Sequence, residues 1–117
     1  MHRFKDLEIW KLSRLFCSQI YLATINFPES EKFGLTNQLR RASVSVPSNI
    51  AEGCSRSSNK DFSRFLEIAI GSIYEIETQL LIACDLGYLD KFKLDDLISN
   101  LDLIVRMIYK FRTTLKV

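Results

Sequence analysis

Apolar residues recur along this chain every three or four positions, in four stretches separated by short polar breaks. That spacing is the period of an amphipathic helix. No stretch alternates with the period of two that marks a half-buried strand. The first stretch, about Asp6 to Asn26, sets Ile9, Leu12, Phe16, Ile20 and Ala23 on one side, with Trp10, Cys17 and Tyr21 as a flanking row. Asp6 and Glu8 stand where a helix dipole favours negative charge, and Pro28 follows the end. The second begins after Gly34, with Leu35, Leu39, Ala42, Val46, Ile50 and Cys54 on one face. Pro47 falls inside it and predicts either a kink near Ser43–Val46 or a true break. A kink is favoured, because Ala42, Val46 and Ile50 keep the i, i+4 phase across the proline.

Gly53 and the run Ser55-Arg56-Ser57-Ser58-Asn59 separate the second helix from the third, with Ser58 as the expected N-cap and Asp61 three residues on. The third reaches about Leu86, with Gly87 in the C-cap position. Its stripe is Phe62, Phe65, Leu66, Ala69, Ile73, Ile76, Leu80, Ala83 and Cys84. The fourth spans about Phe92 to Leu115 on Leu94, Leu97, Ile98, Leu101, Ile104, Val105, Ile108, Phe111 and Leu115. Asp95 and Asp96 are expected at its start and Lys110, Arg112 and Lys116 at its end. Short connections between long helices predict an all-α, antiparallel up-down-up-down four-helix bundle with a proline kink in the second helix. At 117 residues the chain is expected to form one domain, residues 1–117.

One bundle does not use all of this apolar surface. Ile68, Ile70, Tyr74, Leu81 and Ile82 lie off the stripe of the third helix, and Leu103 and Met107 off that of the fourth. A second exposed stripe exceeds what soluble monomers tolerate. Self-association through Ile70, Tyr74, Leu81, Leu103 and Met107 is therefore expected.

Composition adds little beyond a globular class, with 47% hydrophobic and 26% charged residues. No apolar run approaches the ~20 residues of a membrane span, and the charged start is unlike a secretory leader. Cys17, Cys54 and Cys84 lack paired spacing, which predicts reduced thiols and a cytoplasmic protein rather than a disulfide framework or zinc site.

Charge does change the picture. The net +2 divides into +1 over residues 1–34, +3 over 35–64, −6 over 65–102 and +4 beyond. Arg40, Arg41, Arg56, Lys60 and Arg64 supply the second segment and are the candidate phosphate contacts, expected to flank the junction of the second and third helices. Intramolecular pairing is the other reading of the same arginines, and no recognised nucleic-acid-binding motif accompanies them.

Catalytic chemistry finds no footing. His2 is the lone histidine, so no Ser-His or Cys-His dyad is expected, and no Gly-rich phosphate loop or metal-binding Glu-x-x-His motif occurs. No cofactor and no enzymatic activity are expected. The unusual feature is a polar line inside the second helix, Ser45, Asn49 and Glu52 at i, i+4 and i+7. These groups would serve carbonyls freed by Pro47 or pair with Glu75 or Gln79 of the third helix, or else form a ligand site.

Several motifs are familiar. Leu7-Glu8-Ile9-Trp10-Lys11, Phe27-Pro28 with Glu31-x-Phe33-Gly34-Leu35-Thr36-x-Gln38-Leu39-Arg40-Arg41-Ala42, and Ser45-Val46-Pro47-Ser48-Asn49-Ile50-Ala51-Glu52-Gly53 resemble the bacterial four-helix-bundle family encoded by 23S rRNA intervening sequences. Phe65-Leu66-x-Ile68-Ala69-x-Gly71-Ser72-x-x-Glu75-x-Glu77-x-Gln79-Leu80 and Gly87-Tyr88-Leu89 extend the resemblance over nearly the whole chain. It implies a four-helix bundle assembled as a ring-like homopentamer, in a family without established enzymatic activity. A related branch, the accessory proteins of diversity-generating retroelements, implies a basic surface that binds RNA or DNA and a reverse transcriptase, an analogy at the level of the fold. The alternative is a scaffold that docks a partner protein, through Tyr74, Leu81, Met107 and Tyr109, and binds no nucleic acid.

Overall fold

The structure, a computed structural model, describes residues 2–117. Four helices carry the chain: α1 (Glu8–Ala23), α2 (Leu35–Cys54), α3 (Asn59–Asp85) and α4 (Lys91–Thr113). Short 3-10 turns at Phe4–Asp6 and Glu29–Glu31 precede α1 and α2. No strand occurs among the described residues, so the fold is all-α.

The helix ends follow local chemistry. Ser58 caps α3 by accepting the Asp61 N–H at 3.1 Å, as its spacing predicts. At the other end Gly87 takes φ +81°, and the N–H groups of Tyr88 and Gly87 donate to the carbonyls of Ala83 and Cys84. That double closure is a Schellman motif, and its left-handed residue is one that glycine adopts without a Cβ penalty. The α4 start differs from expectation. Asp90, not Asp95 or Asp96, guards it, accepting the Lys93 N–H at 2.7 Å. Asp6 likewise belongs to the 3-10 turn and not to α1.

α2 passes through Pro47 without a break. The proline has no N–H, so the Ser43 carbonyl one turn earlier loses its helical partner. The Cys17 thiol of α1 donates to that carbonyl at 2.9 Å. Six residues later Gly53 sits against side chains of α3. A Cβ there would lie 2.7 Å from Cδ1 of Phe62 and 3.1 Å from Cβ of Phe65.

The buried cluster takes most of the predicted stripe positions, from Ile9, Phe16 and Ile20 of α1 to Leu97, Leu101, Ile104 and Ile108 of α4, with Leu12, Ala23, Cys54, Cys84, Ile98, Val105 and Phe111 partly buried against it. Ile70 is a correction. It is 6% exposed and belongs to the core, because α3 is enclosed over a wider arc than one stripe. The contacts descend one helix as they climb the next: Thr24 with Arg40 and Cys17 with Ser43, then Gln38 with Gln79 and Ser45 with Ser72, then Ser63 with Arg112 and Tyr74 with Tyr109. Backbone neighbours are α1–α2, α2–α3, α3–α4 and α1–α4, with no such contact across either diagonal. The molecule extends 44 × 24 × 20 Å.

Candidate nucleic-acid interface

The polar line of α2 does not stay together. Asn49 Nδ2 donates to the Ser45 carbonyl at 2.8 Å and to Ser45 Oγ at 2.9 Å, and Ser45 Oγ meets Ser72 Oγ of α3 at 2.8 Å. Glu52 points away from them and pairs with Arg56 at 2.8 Å. Glu75 and Gln79 form a separate contact at 3.2 Å, joined by Gln38 of α2 at 3.5 Å. Ser45 and Asn49 therefore stitch α2 to α3, while the carbonyl freed by Pro47 is served by a residue the pattern did not single out.

The five basic candidates also divide. Arg40 is committed to the end of α1: its Nε donates to Thr24 Oγ1 at 2.9 Å and its guanidinium lies 4.6 Å over the Tyr21 ring. Arg41 is exposed beside it. Thirteen residues of helix separate Arg41 from the end of α2, about 20 Å at 1.5 Å per residue. Arg40 and Arg41 thus stand away from the α2–α3 junction, contrary to the sequence expectation. Arg56, Lys60 and Arg64 do gather there. Arg56 and Arg64 place their guanidinium carbons 4.7 and 5.4 Å from the Phe65 ring, Arg64 lies 3.8 Å from Asp61, and Lys60 makes no ion pair among the described residues.

Both chain ends join them. His2 packs edge-on against Phe62 and Phe111, and Asn59 Nδ2 donates to the Lys116 carbonyl at 3.2 Å. Arg112 donates to Ser63 Oγ at 2.8 Å and to Glu67 Oε1 at 2.7 Å. Arg3, Lys5, Arg112 and Lys116 thereby reach the same end as the junction. The acid-free +4 tail was the sequence signal for half of this set; nothing in the sequence placed Arg3 and Lys5. The half of the molecule made of residues 2–15, 45–72 and 102–117 holds eleven basic and six acidic side chains, or +5. The other half holds five and eight, or −3.

Three clefts open at the basic end, of about 340 Å³ against Phe4, Ala51 and Cys54, about 380 Å³ against Arg56, Ser57 and Asn59, and about 380 Å³ among Lys60, Arg64, Glu67 and Arg112. Burial pushes the Cys54 thiol above its ordinary pKa, and does the same to Cys17. No group of metal-ligating side chains occurs among the described residues.

Exposed apolar side chains meet across helices at two separate places. On the α3–α4 side Tyr74 and Tyr109 meet hydroxyl to hydroxyl at 3.4 Å, and that contact holds the Tyr74 pKa above its usual value. On the α1–α4 side Leu15 and Leu103 flank a groove of about 100 Å³ with Leu12, Phe16 and Ile104. Leu103 therefore does not share a face with Tyr74. Leu15 and Leu22, 60% and 70% exposed on α1, were not anticipated. Leu81 is exposed on α3, and Met107 is half-buried.

These features define an all-α protein of four helices, charged oppositely at its two ends, in which no helix among the described residues is long and apolar enough to cross a membrane. The chain belongs to the 23S rRNA-intervening sequence protein family, whose model matches residues 5–110. Its fold is similar to that of a protein of unknown function from the S23 ribosomal protein family of Bacteroides thetaiotaomicron VPI-5482. The two superpose with a TM-score of 0.79 at 22% identity, over 89% of this chain and 97% of that one. No curated protein matches the sequence.

Proposed function

We propose that this chain is a non-enzymatic, ring-forming protein that binds RNA or DNA through its basic end. The observation that carries the reading is the end-to-end charge difference, +5 against −3, on a molecule whose net charge is only +2. Phosphate affinity rises with the number of charges neutralised. A ring that turns every basic end the same way multiplies a modest subunit charge into a continuous band. The contacts that descend one helix as they climb the next support an up-down-up-down bundle, and Pro47 inside α2 supports a kink there.

Assembly is part of the same proposal. A two-fold dimer needs one self-complementary patch, whereas a closed ring needs two different patches on different sides of each subunit. The places at Tyr74–Tyr109 and at Leu15–Leu103 meet that requirement, and a homopentamer is the expected closure. Half-buried free thiols suit a reducing, cytoplasmic setting.

A second reading has its own observation. Phe33 and Phe92 are 86% and 87% exposed, rings that suit a docked partner protein. Titration of fluorescent structured RNA and duplex DNA at roughly 50 and 200 mM salt separates the two. Nucleic-acid binding predicts affinity that falls steeply with salt and is lost in Lys60→Glu/Arg64→Glu with assembly intact. No binding at the lower salt overturns it and leaves the scaffold reading.

A further inference from the structure

Two of the clefts at the basic end adjoin, with His2 and Cys54 in the wall of each. Their walls differ in kind. The first is mainly apolar, with the Phe4 ring, Ala51 and Cys54 behind Arg3 and Lys5. The second is polar, with Ser57, Ser58 and Asn59 beside Arg56. Each has the volume of a small-molecule site, of order 300 Å³ or more. The first suits an apolar body, and the second an anionic group hydrogen-bonded by hydroxyls and a guanidinium.

The cations here are lightly held, the Lys5 ammonium 5.9 Å from the centre of the Phe4 ring and the Arg56 guanidinium 4.7 Å from that of Phe65. Lys5 makes no ion pair among the described residues, and Arg3 lies 3.6 Å from Asp6 with both side chains largely exposed, an attachment worth little in water. Arg56 gives Glu52 one N–H bond of its five donors. The Phe4 ring is held edge-on by Trp10, with centroids 5.2 Å apart, so the apolar wall is pre-formed.

Resting on the nucleic-acid reading above, we propose that this bipartite cleft seats one unstacked nucleoside phosphate. The base lies against Phe4, Ala51 and Cys54, and the phosphate lies among Arg56 and the serine hydroxyls. A base can enter only with its face free, so the site selects single-stranded or terminal nucleotides over duplex. Stacking contacts of this kind accept any base, which gives the protein a preference for strand state and not for sequence.

The test uses 2-aminopurine riboside 5′-monophosphate, whose fluorescence falls on stacking, and a short single-stranded RNA beside its own duplex. The wild-type protein is expected to quench the mononucleotide and to bind the single strand roughly ten-fold more tightly than the duplex, the size of one base–aromatic contact. Ala51→Leu, which fills the apolar part with an aliphatic side chain that offers no stacking ring, should remove both effects while duplex binding through Lys60 and Arg64 persists. As a check that needs no variant, the mononucleotide should slow alkylation of Cys54 in the wild-type protein and leave Cys84 unaffected, read by peptide mass spectrometry. Duplex binding without quenching, without strand preference and without Cys54 protection overturns the cleft and leaves the wider reading standing. Binding of neither strand form overturns both, while mononucleotide binding alone assigns the cleft to a free nucleotide.

Discussion

Pro47 withdraws one N–H from α2, and the carbonyl it leaves is met from another helix by the Cys17 thiol. Ser43 is 1% exposed, so water offers that carbonyl no substitute. Cys17→Ala should therefore cost about 1–3 kcal/mol in urea unfolding, the usual penalty for an orphaned buried polar group, and Cys17→Ser less. In a Pro47→Ala background the helix supplies its own N–H, and the cost of Cys17→Ala should shrink by about 1 kcal/mol. An unchanged cost would show that the thiol only fills space. Burial raises the Cys17 pKa above 9.0. Its contribution to stability is then complete below about pH 9 and lost as pH rises through the elevated value. Wild type should lose more stability than Cys17→Ser between about pH 8 and pH 10. Gly53 presents a different constraint: Gly53→Ala drives a methyl to 2.7 Å from the Phe62 ring. A loss of about 1–3 kcal/mol is expected, against the helix propensity gain an exposed glycine would show.

Among the elements, α3 is the longest. It packs on α2 more extensively than any other pair of helices pack, and it donates one side of the Tyr74–Tyr109 contact. Gly71 stands in the middle of its exposed side, with nothing within 4 Å of the Cβ it lacks. Within a single subunit, Gly71→Ala should stabilise α3 by roughly 0.5–1 kcal/mol and raise Tm by a few degrees. Should α3 face another subunit at that point, the same methyl would weaken assembly while strengthening the monomer. Light scattering beside thermal unfolding separates the two effects. α4 is attached differently, through Arg112 to Ser63 and Glu67 near the start of α3. That pair is partly exposed, so Arg112→Ala is expected to cost about 1 kcal/mol and to loosen the C-terminal tail.

On the scale of the whole molecule the decisive quantity is how charge is sorted by end. Each phosphate neutralised steepens the salt dependence by close to one unit of logarithmic slope on duplex DNA. Removing either Lys60 or Arg64 from every subunit should therefore lower the slope by more than removing Arg41, which stands in the acidic half. Equal effects of the two changes would contradict the basic end as the contact surface. Assembly is checked independently by light scattering, where a pentamer has five times the 13.6 kDa mass of the chain. Leu103→Lys and Tyr74→Lys, one at each apolar place, should each break a ring, whereas a two-fold dimer would lose only one of them as a contact.

The sequence by itself determined the four helices, their apolar stripes and two of their caps. Each depends on residues within a few positions of one another, and the 3.6-residue period of Leu94 to Ile108 or the Ser58–Asp61 spacing is complete without knowledge of the rest of the chain. It also held the acid-free tail in plain view. What it left undecided was every feature that joins distant segments. Ile70 is core because α3 is covered over a wide arc, Glu52 leaves Ser45 and Asn49 for Arg56, and Cys17 reaches a carbonyl 26 residues away. The basic end follows the same logic. Arg3, Arg56 and Lys116 are far apart in the chain, and only the packing of the two termini against the α2–α3 junction places them together, while the length of α2 carries Arg40 and Arg41 to the opposite half. Helix periodicity is a short-range property of the backbone, but a surface is assembled from helix ends, and which ends meet is fixed by tertiary packing.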